Sequence, residues 1–198
     1  MSGLCVERSN WQVRAEAISE AGAAARGATL NVTMEPCCFE GKTPACTEVL
    51  KRTGVKRVVA AMIDPNPRVR GKGIKCLRKE GIAVESGLLR DDARRLNEAY
   101  VTFMEEHRPF VMLKVAMSLD GMMATEEGES QWITGEHARE VGQRLRLMAD
   151  AIIVGVNTVI ADNPLLTCRI KSQKRLLRVV LDSDLRLPPG CRLFEAPD

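Results

Sequence analysis

Residues 28–62 read ATLNVTMEPCCFEGKTPACTEVLKRTGVKRVVAAM, and this stretch decides the fold. Its two ends, ATLNVTM at 28–34 and KRVVAAM at 56–62, are short apolar runs of the kind that buried strands have. Between them, EPCCFEGKTPAC is a loop that leads into a helix predicted over 44–53, which Gly54 ends. Because a strand, a helix and a strand follow one another, we expect parallel strands in an α/β sheet.

The same alternation extends to both sides of this stretch. Upstream, RAEAISEAGAAA predicts a helix over 14–25 that ends at Gly27. Downstream, His107-Arg108-Pro109 marks a domain boundary, and we expect two α/β units, 1–106 and 108–198. The remaining predicted elements are a helix at 71–80, a strand at 82–86, a helix at 91–106, a strand at 110–118, a helix at 135–148, a strand at 151–155, a turn ending in Asp162-Asn163-Pro164, and a strand at 176–183.

Composition limits the kind of protein that this sequence encodes. The chain has 198 residues, of which 45% are hydrophobic and 28% are charged, as in ordinary globular proteins. Its net charge of +3 is too small to indicate nucleic-acid binding, although a few basic side chains are enough to hold one phosphate. No apolar run approaches the roughly 20 residues of a membrane helix, and MSGLCVERSN lacks the apolar core of a secretory signal. We expect a cytoplasmic protein with neither a nucleic acid nor a membrane as partner.

Seven cysteines, an odd number, occur without a secretory signal, so a disulfide framework is not expected. Three of them lie within ten residues, which suggests thiolate ligands for a metal. A zinc deaminase needs two thiolates, one further protein ligand, and a glutamate that moves protons between the zinc-bound water and the leaving ammonia. Glu16, Cys37 and Cys46 are the residues that suggest such a site here. The alternative is that the cysteines are ordinary reduced thiols.

The string ARGATLNVTMEPCCFEGKTPACTEVLKRTGVKRVVAAMIDPNPRVRGKGI closely resembles the deaminase domain of the bifunctional riboflavin-biosynthesis deaminase/reductases. That family carries a His-Ala-Glu motif, then Glu-Pro-Cys, then Gly-Lys-Thr-Pro-x-Cys. The resemblance implies that Cys37 and Cys46 bind Zn²⁺ and that Glu16 is the catalytic proton shuttle. The eight residues between the cysteines differ from the Pro-Cys-x-x-Cys of cytidine and tRNA deaminases.

The chain departs from this family in two ways. The position of the zinc histidine is Arg14, whose guanidinium stays protonated and cannot bind zinc. Cys38 and Cys5 are conceivable substitutes, although we expect Cys38 to point away from its neighbour. Elements that the family has at both ends are also missing. We therefore expect a chain that is incomplete at both ends, with weak or absent zinc binding, poor deaminase activity, marginal stability and a tendency to associate.

Three further strings, FVMLKVAMSLDGMMATEEGESQWITGEHAR, DAIIVGVNTVIADNPLLTCR and VVLDS, resemble the reductase domain of the same family over 110–183. The resemblance implies a dihydrofolate-reductase-like fold that uses NADPH, and no Gly-x-Gly-x-x-Gly follows a strand to favour a Rossmann site. Arginines suit a ribose phosphate, and a tryptophan offers the cofactor a flat apolar surface. By position, the implied cofactor contacts are Ala116, Trp132, Thr158, Asp162 and Ser183, and the implied substrate contacts are Ser130, Arg146, Leu166 and Arg169.

Taken together, the motifs predict a cytidine-deaminase-like three-layer α/β/α domain followed by the first part of a dihydrofolate-reductase-like α/β domain. The expected function is zinc-dependent deamination of 2,5-diamino-6-ribosylamino-4(3H)-pyrimidinone 5′-phosphate, then NADPH-dependent reduction of its ribosyl group to ribityl. The partner is this small-molecule pyrimidine ribosyl phosphate, and we expect a homo-oligomer. Two alternatives remain open at this point: a single-activity nucleoside or tRNA deaminase, and a decayed or fragmentary paralogue with a binding role.

Overall fold

The structure, a computed structural model, describes residues 13–41, 44–170 and 176–195, with side chains from residue 17 onward. The chain divides into two compact units, Met1–Val111 and Met112–Asp198. Within the described ranges, no helix has both the length and the apolar character needed to cross a membrane.

The first unit is built on a parallel sheet of three strands in the order β1-β2-β3, namely β1 Thr29–Met34, β2 Arg57–Met62 and β3 Ala83–Ser86. The central strand β2 is buried along most of its length, as its apolar sequence predicts. The register pairs Met34 with Met62, so both strands end at the same edge of the sheet. The loops that follow β1 and β2 therefore lie side by side, and they carry the first candidate site.

Helices of the first unit pack into two apolar clusters. The first cluster joins Ile18, Leu50 and Leu77, one from each of the first three helices, to the sheet. The second joins Met34 and Met62 to residues of the last two helices. The helices are α1 Val13–Ala21, which continues as a 3₁₀ turn over Gly22–Ala25, α2 Cys46–Thr53, α3 Lys72–Lys79, α4 Arg90–Leu96 and α5 Glu98–Glu106.

The prediction of a single helix over 91–106 is wrong in one respect, because the helical segment is divided at Asn97 into α4 and α5. The Asn97 backbone leaves helical geometry at φ −107°, and its side-chain amide donates a 2.8 Å hydrogen bond to the carbonyl of Ala93. An asparagine side chain competes with the backbone for such carbonyls, which is why it favours helix ends.

The described part of the second unit contains two parallel strands and two α-helices. β4 Ala151–Gly155 pairs with β5 Leu177–Leu181, and the core beside them contains Val159, Leu166, Cys191 and Leu193. The other elements of the described part are α6 Glu136–Met148, α7 Val156–Asp162 and a 3₁₀ turn at Arg192–Phe194.

Two predictions for the second half of the chain are wrong. Residues 110–118 form no strand; they are irregular, and Val111, Leu113 and Met117 are exposed. An apolar run can form one strand of a pair, but a strand exists only where a neighbouring strand shares its hydrogen bonds. The turn predicted before Asn163 is helix α7, which was missed because Val156 and its β-branched neighbours favour strands.

Candidate functional site

The two candidate thiolates of the first unit lie next to each other at the carboxyl end of β1. Cys37 Sγ and Cys46 Sγ are 3.0 Å apart although nine positions separate them in sequence. Cys46 is the first residue of α2, and its backbone N–H donates a 3.2 Å hydrogen bond to the Cys37 sulfur. The N–H of Thr47 donates to the Cys37 carbonyl at 3.1 Å. The first turn of α2 therefore fixes both the main chain and the side chain of Cys37.

A zinc ion on this pair would need a third protein ligand and a sulfur separation of roughly 3.8 Å, from two 2.3 Å bonds at a tetrahedral angle. Among the described side chains, no group of three His, Cys, Asp or Glu is arranged to hold a metal. Arg14 and Glu16 belong to α1, but their side chains lie outside the described part, as does all of Cys5. The thiol of Cys38 faces the carbonyl of Arg68 at 4.0 Å. The described side chains thus supply two ligands and do not complete a zinc site, and the roles of the cysteines and of Glu16 stay predictions.

Glu35, to which the sequence analysis gave no role, is completely buried beside this pair. Its carboxylate accepts backbone hydrogen bonds from Asp64, Gly71 and Ile74, all in the loop after β2 or the first turn of α3. A signal for it existed in the sequence, because an acidic residue directly after a buried strand needs partners to offset the cost of burial.

In the second unit, Arg146 and Arg169 form a basic pair. Arg146 is half-buried on α6, and its Nη1 donates a 2.7 Å hydrogen bond to the carbonyl of Thr167. Burial lowers the pKa of Arg146, and the positive charge of Arg169 lowers it further. The backbone N–H of Arg169 donates to Oε1 of Gln143 at 2.9 Å, which ties its segment to the same helix. A half-buried guanidinium that has a second positive charge nearby favours the binding of an anion.

Ser130 and Asp162, a predicted substrate contact and a predicted cofactor contact, also come together. The Ser130 hydroxyl donates to Oδ1 of Asp162 across 3.5 Å, a long bond. The ring of Trp132 is 64% exposed, and the guanidinium of Arg139 lies 4.4 Å from its centroid. Arg139 is held there by a 2.9 Å hydrogen bond to the carbonyl of Thr134. The indole thus has exposed surface available for a ligand.

The remaining predicted contacts differ in accessibility. Thr158 and Ser183 are exposed, and Ala116 is half-buried. Leu166 is 4% exposed because its side chain packs in the core with Val159, so only its backbone is available to a ligand. Its φ of +53° places that backbone in the left-handed region, which is uncommon for leucine and directs the main-chain groups differently from a regular turn.

Comparisons with known proteins extend these observations. The family model of the RibD C-terminal domain matches residues 109–197. The riboflavin biosynthesis protein RibD of Aquifex aeolicus is 46% identical over 185 residues, which are 91% of this chain and 52% of that protein. RibD of Bacillus amyloliquefaciens is 51% identical over 173 residues, which are 87% of this chain and 47% of that protein.

A solved structure has the same fold as this chain. The crystal structure of a diaminohydroxyphosphoribosylaminopyrimidine deaminase/5-amino-6-(5-phosphoribosylamino)uracil reductase from Thermotoga maritima superposes with a TM-score of 0.80 at 41% identity, covering 92% of this chain and 52% of that one. The α/β class and the family resemblance expected from the motifs are confirmed, and the three-layer form of the first unit stays a prediction. This chain, which spans about half the length of the curated relatives it matches, is a homologue of the bifunctional riboflavin biosynthesis deaminase/reductases called RibD.

Proposed function

We propose that this chain acts in riboflavin biosynthesis and that its second unit binds the phosphorylated ribosylaminopyrimidine and NADPH for reduction of the ribosyl group to ribityl. The observation that carries the proposal is the basic pair of Arg146 and Arg169. A ribose 5-phosphate dianion placed between them would offset both the lost hydration of Arg146 and the repulsion between the two charges. One nitrogen of Arg146 is already committed to a carbonyl, which orients the rest of its planar group.

NADPH fits the exposed residues on the same unit. Trp132 would contact the cofactor through its exposed ring, and the hydroxyls of Thr158 and Ser183 are accessible to its polar groups. Asp162 would orient Ser130, which in turn would donate to or accept from the substrate. When bound, NADPH supplies the hydride that reduces the sugar. The residues of this chain hold the substrate by its phosphate and limit its movement, which is how positioned binding groups assist such a transfer.

A binding measurement tests this proposal. Isothermal titration with ribose 5-phosphate is expected to show saturable binding that Arg146→Ala weakens by about tenfold to a hundredfold, the range for loss of a charge-assisted hydrogen bond. Arg144→Ala is the matched control, because Arg144 is an exposed arginine on the same helix, and it should bind as the unaltered protein does. NADPH affinity should be the same in both variants. Equal ribose 5-phosphate affinity of the Arg146 and Arg144 variants would contradict the proposal.

Deamination is the second part of the proposed function, with Cys37 and Cys46 as metal ligands and Glu16 as proton shuttle. Arg14 argues against it, because arginine stands where the family motif has its zinc histidine and cannot bind zinc. Among the described side chains, only Cys37 and Cys46 are candidate ligands. A paralogue that binds the pyrimidine without deaminating it is therefore the second candidate. Elemental analysis distinguishes the two: a deaminating chain holds about one zinc, and a non-deaminating one holds almost none.

The variant Arg14→His gives this comparison a positive control. A neutral imidazole at position 14 restores the ligand type that the family motif has there, so we expect the zinc content to rise toward one atom per chain. If Arg14→His binds no more zinc than the unaltered chain, the thiol pair is not one half of a zinc site.

A further inference from the structure

Glu35 is a buried charge that neither half of the proposed function uses. It follows the last residue of β1, and its backbone N–H donates to the carbonyl of Met62 at 2.9 Å, so the sheet register continues one residue further. The side chain is 0% exposed. A carboxylate that neither solvent nor a substrate can reach cannot serve as the proton shuttle. Hydrogen bonds must offset the free-energy cost of burying it.

Three such hydrogen bonds come from one neighbouring segment. Oε2 of Glu35 accepts the N–H of Gly71 at 2.8 Å and, more weakly, that of Asp64 at 3.3 Å. Oε1 accepts the N–H of Ile74 at 3.0 Å. Ile74 lies in the first turn of α3, where helix N–H groups lack partners and a negative charge is favourable. One side chain therefore joins the loop after β1 to both ends of the loop after β2.

The first turn of α3 packs directly against Pro36, the residue before Cys37. A Cβ on Gly73 would meet the carbonyl oxygen of Pro36 well inside 3.0 Å and Oε1 of Glu35 at 3.1 Å. Position 73 is thus occupied by the one residue that allows α3 to approach the Pro36 backbone so closely. Cys37 is consequently fixed from two sides, by α3 through Glu35 and Pro36, and by the first turn of α2 through the bonds to its sulfur and carbonyl.

A second anchor lies further along the same loop. The side chain of Asp64 is 3% exposed, and its Oδ1 accepts a 2.8 Å hydrogen bond from the hydroxyl of Tyr100 on α5. Oδ1 also accepts the N–H of Asn66 at 2.9 Å, which shapes the turn. The loop that is hydrogen-bonded to Glu35 is therefore also attached to α5. If Glu35 moved, this loop would not move with it, and the hydrogen bonds between them would be lost.

We infer that Glu35 is a positioning residue: its carboxylate fixes the Pro36-Cys37 main chain so that the Cys37 and Cys46 thiols lie next to each other, 3.0 Å apart. This inference rests on the proposed function, in which those thiols are a ligand pair. It assigns Glu35 no contact with substrate, cofactor or metal.

Capture of a trivalent arsenical tests the inference without a metal ion. Phenylarsine oxide condenses with two thiols that lie close together, forming two As–S bonds and releasing one water, with no change of oxidation state at sulfur. The Cys37→Ser/Cys46→Ser double variant gives the background from the other cysteines. Above that background, Glu35→Gln is expected to bind the arsenical at least fivefold more weakly, because an amide can accept from one side but must turn an N–H toward a backbone N–H on the other.

Glu40→Gln is the matched control, since Glu40 is an exposed glutamate in the same loop and should leave capture unchanged. The alkylation rate of Cys76, in the same sample, reports whether the first unit has merely unfolded, and it should also be unchanged. If Glu35→Gln does not fold, Gly73→Ala replaces it, because this variant keeps the carboxylate but displaces Pro36. Arsenical capture in the folded variant equal to that of the unaltered chain would overturn the inference.

The same samples separate this inference from the proposed function. Titration with Cd²⁺, read by the ultraviolet thiolate-to-metal absorption, reports whether the thiols bind a divalent ion. Tight arsenical capture without Cd²⁺ absorption in the unaltered chain would count against the metal-binding part of the proposed function, while a drop in capture in Glu35→Gln would still support the positioning role. Capture by the unaltered chain no greater than background would show that the thiols are not paired, and it would overturn the inference.

Discussion

Gly73→Ala is predicted to destabilise the first unit although it places a better helix former inside α3. In an unobstructed helix interior, alanine is favoured over glycine by about 1 kcal/mol. At position 73 the new methyl group would lie well inside 3.0 Å of the Pro36 carbonyl oxygen, which is backbone and cannot rotate away. Overpacking of this kind costs about 1–3 kcal/mol. Because Pro36 is held between the hydrogen bonds of Glu35 and Cys37, we take the upper part of that range and expect a net loss of about 1–2 kcal/mol.

A matched substitution in the second unit should have the opposite sign. Gly142 lies inside α6, and the nearest atom that a Cβ there would meet is Cε of Lys114 at 4.0 Å, an ordinary contact. Gly142→Ala should therefore stabilise its unit by about 0.5–1 kcal/mol. The two substitutions are chemically identical, so their difference of about 1.5–3 kcal/mol isolates the close approach at Pro36.

Peptide-resolved hydrogen exchange during a urea titration measures both effects, because it follows the two units separately where a single unfolding curve would average them. The peptide that covers β2 reports the first unit, and the peptide that covers β4 reports the second. The reasoning would be refuted if Gly73→Ala left the midpoint of the β2 peptide unchanged or raised it.

Three further substitutions probe other contacts. Tyr100→Phe removes the hydrogen bond to a buried carboxylate and should lower the unfolding free energy of the first unit by about 1–2 kcal/mol in the same titration; no change would contradict the anchor. The hydrogen bond from Arg94 lowers the pKa of Glu105 in the folded chain, so this pair stabilises the first unit only while Glu105 is ionised. Glu105→Gln should therefore lower the unfolding free energy at pH 6, above the unfolded pKa of the carboxyl, and this effect should disappear as the pH falls through the lower folded pKa. An equal loss at pH 3 would refute the pairing. Arg178→Ala removes the 2.7 Å bond to the carbonyl of Leu193 and should increase hydrogen exchange at residues 191–195 only.

Much of the first unit follows from sequence periodicity. The strands at 29–34 and 57–62 and the helix between them appear where the apolar runs and Gly54 predict them. Gly54 ends α2 with φ +73°, a conformation that glycine adopts without strain. Local patterns of this kind depend on a few neighbouring residues, so one sequence is enough to detect them. Local preference also explains why α7 was missed, since its sequence is rich in residues that favour strands. The segment is helical in the folded chain, where Val159 is buried in the core.

Residues 110–118 show the limit of such patterns. Their mostly apolar side chains predict a strand, yet Leu113 is 86% exposed and the segment has no regular pairing in the described part of the chain. A strand requires a partner at a definite place, and no property of the segment itself supplies one.

The motif strings by themselves were enough to identify the family and the α/β class and to predict residues for both candidate sites, because each string records a combination of residue types. The tertiary structure alone brought Cys37 to within 3.0 Å of Cys46, brought Arg169 close enough to affect Arg146, and buried Glu35 under the backbone N–H groups of a loop about 30–40 positions away. Such contacts depend on where parallel strands end and how closely helices pack on them. Those distances are properties of the folded chain and cannot be obtained from spacing along the sequence.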